Sequence, residues 1–321
     1  MKHKIAAPSF LKNTAFMAFG LAVVLFIIMV IIHPAALSLN AVATILSIAS
    51  MLVFVCAGQM IVITSGNGGI DLSAGAIMST TACITVEYMN GNNAKLIPAV
   101  IICMAVGFLF GTLNGLGVTY IGIPALIMTL CMSNVLTKLQ IVIGNGAPRG
   151  TVSKELTASL THRFFGLIPG ISLWAAVLYI LVLLLLKHTK FGFRLNLIGI
   201  NFTAASLSGI RAKQVQVLAY AFGGMFAGLG GLVGAGYFRQ MQVSTFDSYT
   251  MQSISAVVIG GTLLSGGSPN YIGTIFGAVL LTVLSQFLSS INTSPAMRDI
   301  IMGIMLIVLL IAYNRKPEVR Q

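Results

Sequence analysis

From Thr14 to Tyr313 the chain is a succession of apolar runs, each about as long as a bilayer is thick, separated by short polar breaks. A helix needs roughly 20 mostly apolar residues to cross the hydrocarbon core. That length picks out ten segments: 14–32, 41–64, 72–88, 96–120, 124–143, 170–187, 213–236, 250–264, 271–289 and 296–313. Only 7% of the residues are charged, against about 25% in a soluble domain, so too little charge exists to cover a water-facing surface. The expected fold class is an all-α polytopic membrane protein of about ten transmembrane helices, built as a single domain over residues 1–321. The first run follows Lys2, Lys4 and Lys12, is longer than a signal-peptide core and lacks a small-residue cleavage site before His33 and Pro34. It is read as a retained first span.

The net charge of +12 does not point to nucleic acid, because the basic residues sit between apolar runs instead of covering one face. They follow the positive-inside rule. With the amino terminus in the cytoplasm, eleven Lys and Arg residues fall inside, at the two termini and in the loop after the sixth span, against six outside. Both termini are therefore expected in the cytoplasm. The external loop, about 144–169, is polar, holds Arg149, Lys154 and Arg163, and is long enough to form a surface element that meets an external partner. A plain solvated connection explains its composition equally well. The four cysteines, Cys56, Cys83, Cys103 and Cys131, lie in apolar runs without metal-ligand spacing and are read as packing residues.

Span four carries Gly107, Gly111 and Gly115, and span seven carries Gly224 and Gly228 within the run GGMFAGLGGLVGAG. Four-residue glycine spacing lets helix backbones approach closely in lipid, where hydrophobic burial no longer drives association. These are helix-packing candidates. Asn114, between two of the glycines, needs a hydrogen-bond partner at membrane depth. It either faces a pathway or ties two helices together.

The run GGIDLSAG, Gly68 to Gly75, sets a carboxylate among glycines between spans two and three. Asp71 precedes an apolar stretch and can cap its helix by accepting the free N–H groups of the first turn. Gly66, Gly68 and Gly69 supply the permissive backbone of a break. Irregular backbone at membrane depth survives only where it is buried in protein or lines a cavity. Gln59, Asn67, Gly68, Gly69, Asp71, Ser73 and Asn114 are the candidates for the pathway or the helix break.

GGIDLSAG resembles the signature of the membrane subunits of ribose-type, simple-sugar ABC importers, in which GGIDLS is followed by a small residue and glycine. The preceding GQMIVITSGN and the later SISAVVIGGTLLSGGSPNYIGTIFGAVLL, Ser253 to Leu281, resemble the same family in the same order. The resemblance covers nearly the whole chain. It implies a permease that pairs with a second permease copy, identical or not, in a bacterial inner membrane. It also implies a solute-binding protein, periplasmic or lipid-anchored, that delivers a monosaccharide or related polar molecule, and a separate ATPase that binds ATP and Mg. No cofactor is expected on this chain.

The cytoplasmic loop, about 188–212, contains GINFTAASLSGIRAK. Asn201 can cap a short helix over Ala204, Ala205 and Leu207 that Gly209 ends. On these residues alone, a helix lying on anionic lipid is an alternative to a protein handle. Thr203 to Gly209 also resembles the E-A-A-x-x-x-G segment that docks on the ATPase of ABC importers, with Thr203 in place of Glu and Ser206 in place of an Arg common in ribose-type relatives. The resemblance implies coupling roles for Gly199, Asn201, Thr203, Ala204, Ala205, Ser208 and Gly209. A partner permease with the fuller motif would account for the two missing charges.

No phosphate-binding loop, nucleophile elbow or zinc-binding pair occurs in the chain, so no catalytic or metal site is expected and the chain is read as a transport subunit. The alternatives are an ion-coupled secondary transporter and a branched-chain amino-acid ABC permease. The first is disfavoured because Asp71, Glu87, Asp247 and Asp299 all sit near span ends and not mid-span.

Overall fold

The structure is a computed structural model that describes residues 14–146 and 148–313. Its helices are α1 (Thr14–Ile32), α2 (Leu39–Thr64), α3 (Ala74–Met89), α4 (Leu96–Leu116), α5 (Ala125–Ile143), α6 (Lys154–Thr161), α7 (Gly170–His188), α8 (Lys190–Ile200), α9 (Phe202–Leu207), α10 (Ala212–Phe238), α11 (Tyr249–Ile259), α12 (Tyr271–Ser290) and α13 (Pro295–Tyr313). A two-residue hairpin, β1 (Arg163–Phe164) with β2 (Ile168–Pro169), pairs antiparallel between α6 and α7.

Seven of these segments are long and apolar enough to cross a membrane: α1, α2, α4 with its flanks, α5, α7, α10 and α12. α13 is a further helix of 19 residues. Two of the ten sequence segments are too short to cross alone. α3 has 16 residues and α11 has 11, about 24 and 17 Å of helix against a hydrocarbon core of about 30 Å. Each is short because an irregular stretch, residues 65–73 before α3 and 239–248 before α11, takes the place of helical turns. The basic residues on which terminal orientation rests, Lys2, Lys4, Lys12, Arg315, Lys316 and Arg320, lie outside the described residues.

α10 forms the centre of the bundle, contacting α4, α3 and α2, and it does so through glycine on all three sides. A Cβ on Gly107 of α4 would lie 2.2 Å from the Gly224 carbonyl oxygen, and one on Gly228 would lie 2.3 Å from the Cys103 carbonyl. Toward α2, a Cβ on Gly58 would sit 2.5 Å from the Gly223 carbonyl; toward α3, one on Gly231 would sit 2.2 Å from the Met78 carbonyl. Gly111 and Gly115 continue the α4 seam against Tyr220 and Val217. Around this core, α1 packs on α12, while Ile31, Ile97, Ile101, Leu130 and Val177 project outward as an exposed apolar coat. Cys56, Cys83 and Cys103 are buried as packing residues; Cys131 departs from that expectation and is exposed on α5.

Overpacking a tight core costs about 1–3 kcal/mol or more. Gly107→Val should therefore lower the thermal midpoint and the monodisperse yield of the detergent-purified protein. Gly20→Val on α1, where nothing lies within 4 Å of the added Cβ, should leave both unchanged, and equal losses at the two positions would contradict the seam.

Candidate functional site

The first irregular stretch begins where α2 stops at Thr64. Gly66, Asn67 and Gly68 all hold positive φ, a conformation that glycine and asparagine tolerate best, and the chain turns back into the bundle toward α3. Asn67 and Gly68 are exposed at the turn, while Gly69 is buried behind it with its N–H donating to the Gly66 carbonyl at 2.9 Å.

Asp71 is 1% exposed. Its Oδ1 accepts from the Ser73 N–H at 2.8 Å and from the Ser73 hydroxyl at 2.6 Å. Asp71 thus caps the turn just ahead of α3, and Ser73 takes the N-cap position, two residues later than the sequence suggested. Asn114 of α4 donates from Nδ2 to the same Ser73 hydroxyl oxygen at 2.8 Å. Gln59 of α2, with its amide oriented to satisfy both groups, donates to the Asp71 carbonyl at 3.1 Å and accepts from the Asp71 N–H at 3.2 Å. The Leu72 N–H donates to the Thr129 hydroxyl of α5 at 3.0 Å. Three spans therefore hold the break by polar contacts, as buried backbone away from water requires.

Asp71 Oδ2 and Asn114 Oδ1 are buried without a hydrogen-bond partner among the described residues. Tyr220 and Gln216 lie one turn apart on α10, and Tyr220 packs against Gly111 and Gly115 on either side of Asn114. The break is thus lined by amides, hydroxyls and one carboxylate with hydrogen-bonding capacity left over.

A second polar layer joins α3 to the stretch before α11. The Gly75 N–H donates to the Thr250 hydroxyl at 2.9 Å, and the Ser79 oxygen accepts from the Phe246 N–H at 2.9 Å while its proton goes to Asp247 Oδ1 at 3.2 Å. Gln140 of α5 accepts from the Ser244 N–H at 2.8 Å and donates to the Thr80 hydroxyl at 3.2 Å. Sequence reasoning missed Thr129, Gln140, Ser79, Tyr220 and Gln216. Gln140 could have been found by the argument applied to Asn114, an amide within an apolar run.

In the 188–212 segment, Asn201 Oδ1 accepts from the Ala204 N–H at 2.9 Å and caps α9. Thr203, Ala204 and Ser208 are exposed beside Leu207, whereas Ala205 is buried. Gly209 ends the helix at φ +82. Gly199 is set apart from this surface: it is buried, and a Cβ there would lie 2.0 Å from the Thr64 carbonyl and 2.3 Å from the Gly267 nitrogen. It fastens the segment to the end of α2. Among the described residues no group of three His, Cys, Asp or Glu is placed to hold a metal ion.

Residues 40–310 match the profile of the family described as branched-chain amino acid transport system / permease component. The ribose import permease protein RbsC of Escherichia coli K12 is 28% identical over 298 residues, covering 91% of each chain. The fructose import permease protein FruF of Bifidobacterium longum is 30% identical over 271 residues, 83% of this chain and 75% of that one. The autoinducer 2 import system permease protein LsrC of Yersinia pseudotuberculosis is 30% identical over 293 residues, 91% and 82%. No solved structure matches.

Ser73→Ala removes a hydroxyl that donates to Asp71 and accepts from Asn114, and should cost about 2–3 kcal/mol. Combined with Asn114→Ala the loss should fall short of the sum, because the two changes delete one shared bond. Denaturant midpoints of the purified variants read this directly, and strictly additive losses would dismiss the network.

Proposed function

On the premise that the chain belongs to the branched-chain amino acid transport system / permease component family, we propose that it lines the membrane pathway for a monosaccharide or closely related polar solute in an ABC importer. The observation that carries this reading is the match to ribose, fructose and autoinducer 2 import permeases over 83–91% of this chain. The chemistry of the break favours such cargo over a branched-chain amino acid. Amides and hydroxyls around Ser73 and Asn114 suit a polyhydroxylated solute better than a branched aliphatic side chain, which can satisfy none of them. Weak, distributed hydrogen bonds also let the solute leave. The chain is a multi-pass membrane permease and not an enzyme.

In this reading all ten apolar segments cross or enter the membrane, α3 and α11 as partial helices completed by the irregular stretches before them. Both termini lie in the cytoplasm, and the membrane is the inner membrane of a bacterium. Two permease copies enclose the pathway. A solute-binding protein delivers cargo outside, and an ATPase that holds ATP and Mg docks on the α9 surface. Gln59, Asp71, Ser73 and Asn114 serve as the pathway-side break; Asn67, Gly68 and Gly69 serve as its turn. Thr203, Ala204 and Ser208 meet the ATPase, with Asn201, Ala205 and Gly209 shaping the helix and Gly199 anchoring it.

Uptake should survive collapse of proton and sodium gradients and fail when ATP is depleted. A second permease species recovered with the tagged chain would identify a heterodimer. Leu207, 85% exposed on α9, should be needed for coupling: Leu207→Asp should abolish co-purification of the ATPase and ATP-driven uptake while the permease itself remains monodisperse. Retained ATPase at wild-type stoichiometry would remove α9 as the docking element.

A further inference from the structure

α7 ends at His188 and α8 begins at Lys190, so a single residue, Thr189, makes the elbow between them. The elbow is tight: a Cβ on Gly192 would lie 2.0 Å from the Leu186 carbonyl oxygen, which puts the first turn of α8 against the last turn of α7. A cavity of about 460 Å³ opens there, lined by Lys187, His188, Lys190 and Arg194 together with Thr189, Phe193 and Ile210. All four basic residues are exposed. None of the lining is acidic, and no Asp or Glu occurs anywhere from Leu156 to Phe246.

This clustering is unfavourable for the chain by itself. Lys190 and Arg194 are four residues apart on one helix, where like charges repel. Lys190 also stands at the first position of α8, whose first turn holds no acidic residue, and the positive end of the helix dipole opposes a cation there. Lys187 adds a third full charge across the elbow. An anion taken up from outside would relieve all three repulsions at once.

The surface that adjoins the cavity sets the chemistry of that anion. Leu173, Val177, Ile180, Leu181 and Leu184 are exposed and recur every three or four residues, so they form one stripe along α7. The same spacing carries the stripe directly into Lys187 and His188. From Leu173 to Leu184 it is about 17 Å long at 1.5 Å per residue, close to one leaflet of a hydrocarbon core about 30 Å thick. On α8, Leu195 and Ile198 are buried while Phe193 is exposed beside the cations. An apolar strip of leaflet length that ends at a basic ledge fits a ligand with an acyl chain and a phosphate.

From this juxtaposition we infer that the α7–α8 elbow binds an anionic phospholipid, with its phosphate on the ledge of Lys187, Lys190 and Arg194 and an acyl chain along the α7 stripe. Such a site requires only that α7 cross a bilayer, and it stands whatever the cargo and wherever the ATPase docks. Lysine serves phosphate as a point charge and arginine as a planar fork. A zwitterionic lipid is disfavoured, because its own ammonium already balances its phosphate. α8 runs on through Asn201 into α9, so the lipid braces the base of the exposed α9 surface.

The test titrates the full chain in mild detergent with a phosphatidylglycerol that carries a photoreactive group on its acyl chain. Irradiation should label peptides of α7, and unlabelled phosphatidylglycerol should displace the label at concentrations at least about tenfold lower than phosphatidylcholine does. Lys190→Gln combined with Arg194→Gln should weaken binding at least about tenfold, while Arg194→Lys alone should retain most of it. Lys138→Gln combined with Lys154→Gln removes the same charge from exposed positions on α5 and α6 and should leave binding unchanged. The comparison of the two lipids on the unaltered chain decides the matter even where a variant folds poorly. Equal displacement by both lipids, equal losses in the two double variants, or labelling outside α7 would overturn the inference. Displacement by inorganic phosphate alone would make the ledge a free-anion site, and loss of the label when a co-purified ATPase is present would assign it to that protein; either result rules out the lipid.

Discussion

A Cβ on Gly107 would collide with the carbonyl of Gly224 at 2.2 Å, which means that α4 and α10 touch backbone to backbone. The same holds for α10 against α2 at Gly58 and Gly223, and against α3 at Gly231. In lipid, apolar side chains gain little by leaving one hydrocarbon surface for another, so helices associate through close van der Waals packing and polar contacts. Removing side chains from three faces of one helix lets three neighbours reach it at once. That proximity is also what brings Asn114 to Ser73 and Gln59 to the Asp71 backbone within hydrogen-bonding range: each sits on or beside a helix drawn in against α10. Bulkier seams would separate the spans and leave the Asp71 stretch without partners.

The polar breaks follow from the same constraint. Backbone that leaves helical geometry inside the bundle must find donors and acceptors from side chains. Gln59 supplies both for Asp71, Thr129 supplies the acceptor for Leu72, and Gln140 supplies the acceptor for Ser244. Ser73 acts twice, toward Asp71 and from Asn114. Each is a small hydroxyl or an amide, which can both give and take a hydrogen bond at little cost in volume.

Much of this was legible in the sequence, and the limits have physical causes. Run lengths located every long helix, because an apolar stretch of about 20 residues has few other uses. Glycine spacing marked α4 and α10, and the carboxylate among glycines marked the break. The second irregular stretch, 239–248, was not legible as an interior feature. Its Arg239, Gln242, Ser244 and Asp247 have the composition of an ordinary surface loop, and only the buried Phe246 and the bonds to Ser79 and Gln140 show that it folds inward. Thr129 was invisible for a related reason: a threonine in a helix commonly returns its proton to the preceding turn, as this one does to Ala125, and nothing local reveals that its oxygen also accepts from a distant loop. Gly199 read as part of a docking surface because it lies next to the exposed residues of α9 that the resemblance assigns to docking; its burial depends on contacts from residues more than sixty positions away.

Those contacts join the 188–212 segment to the break mechanically. A Cβ on Gly66 would lie 2.9 Å from Gly199, and one on Gly266 would lie 2.4 Å from Gly66, while the Gly267 N–H donates to the Thr64 carbonyl at 3.0 Å. Three chain segments, the end of α2, the end of α8 and the loop after α11, thus meet through bare backbone with no flexible side chain between them to absorb a displacement. Close-packed contacts of this kind transmit strain because they have no slack. A shift of α8 and the attached α9 must therefore be shared by Gly66, which opens the turn toward Asp71, and by Gly266 and Gly267, which follow α11. The segment that carries α9 is thus fastened through bare backbone both to the end of α2, where the turn toward Asp71 opens, and to the loop that follows α11.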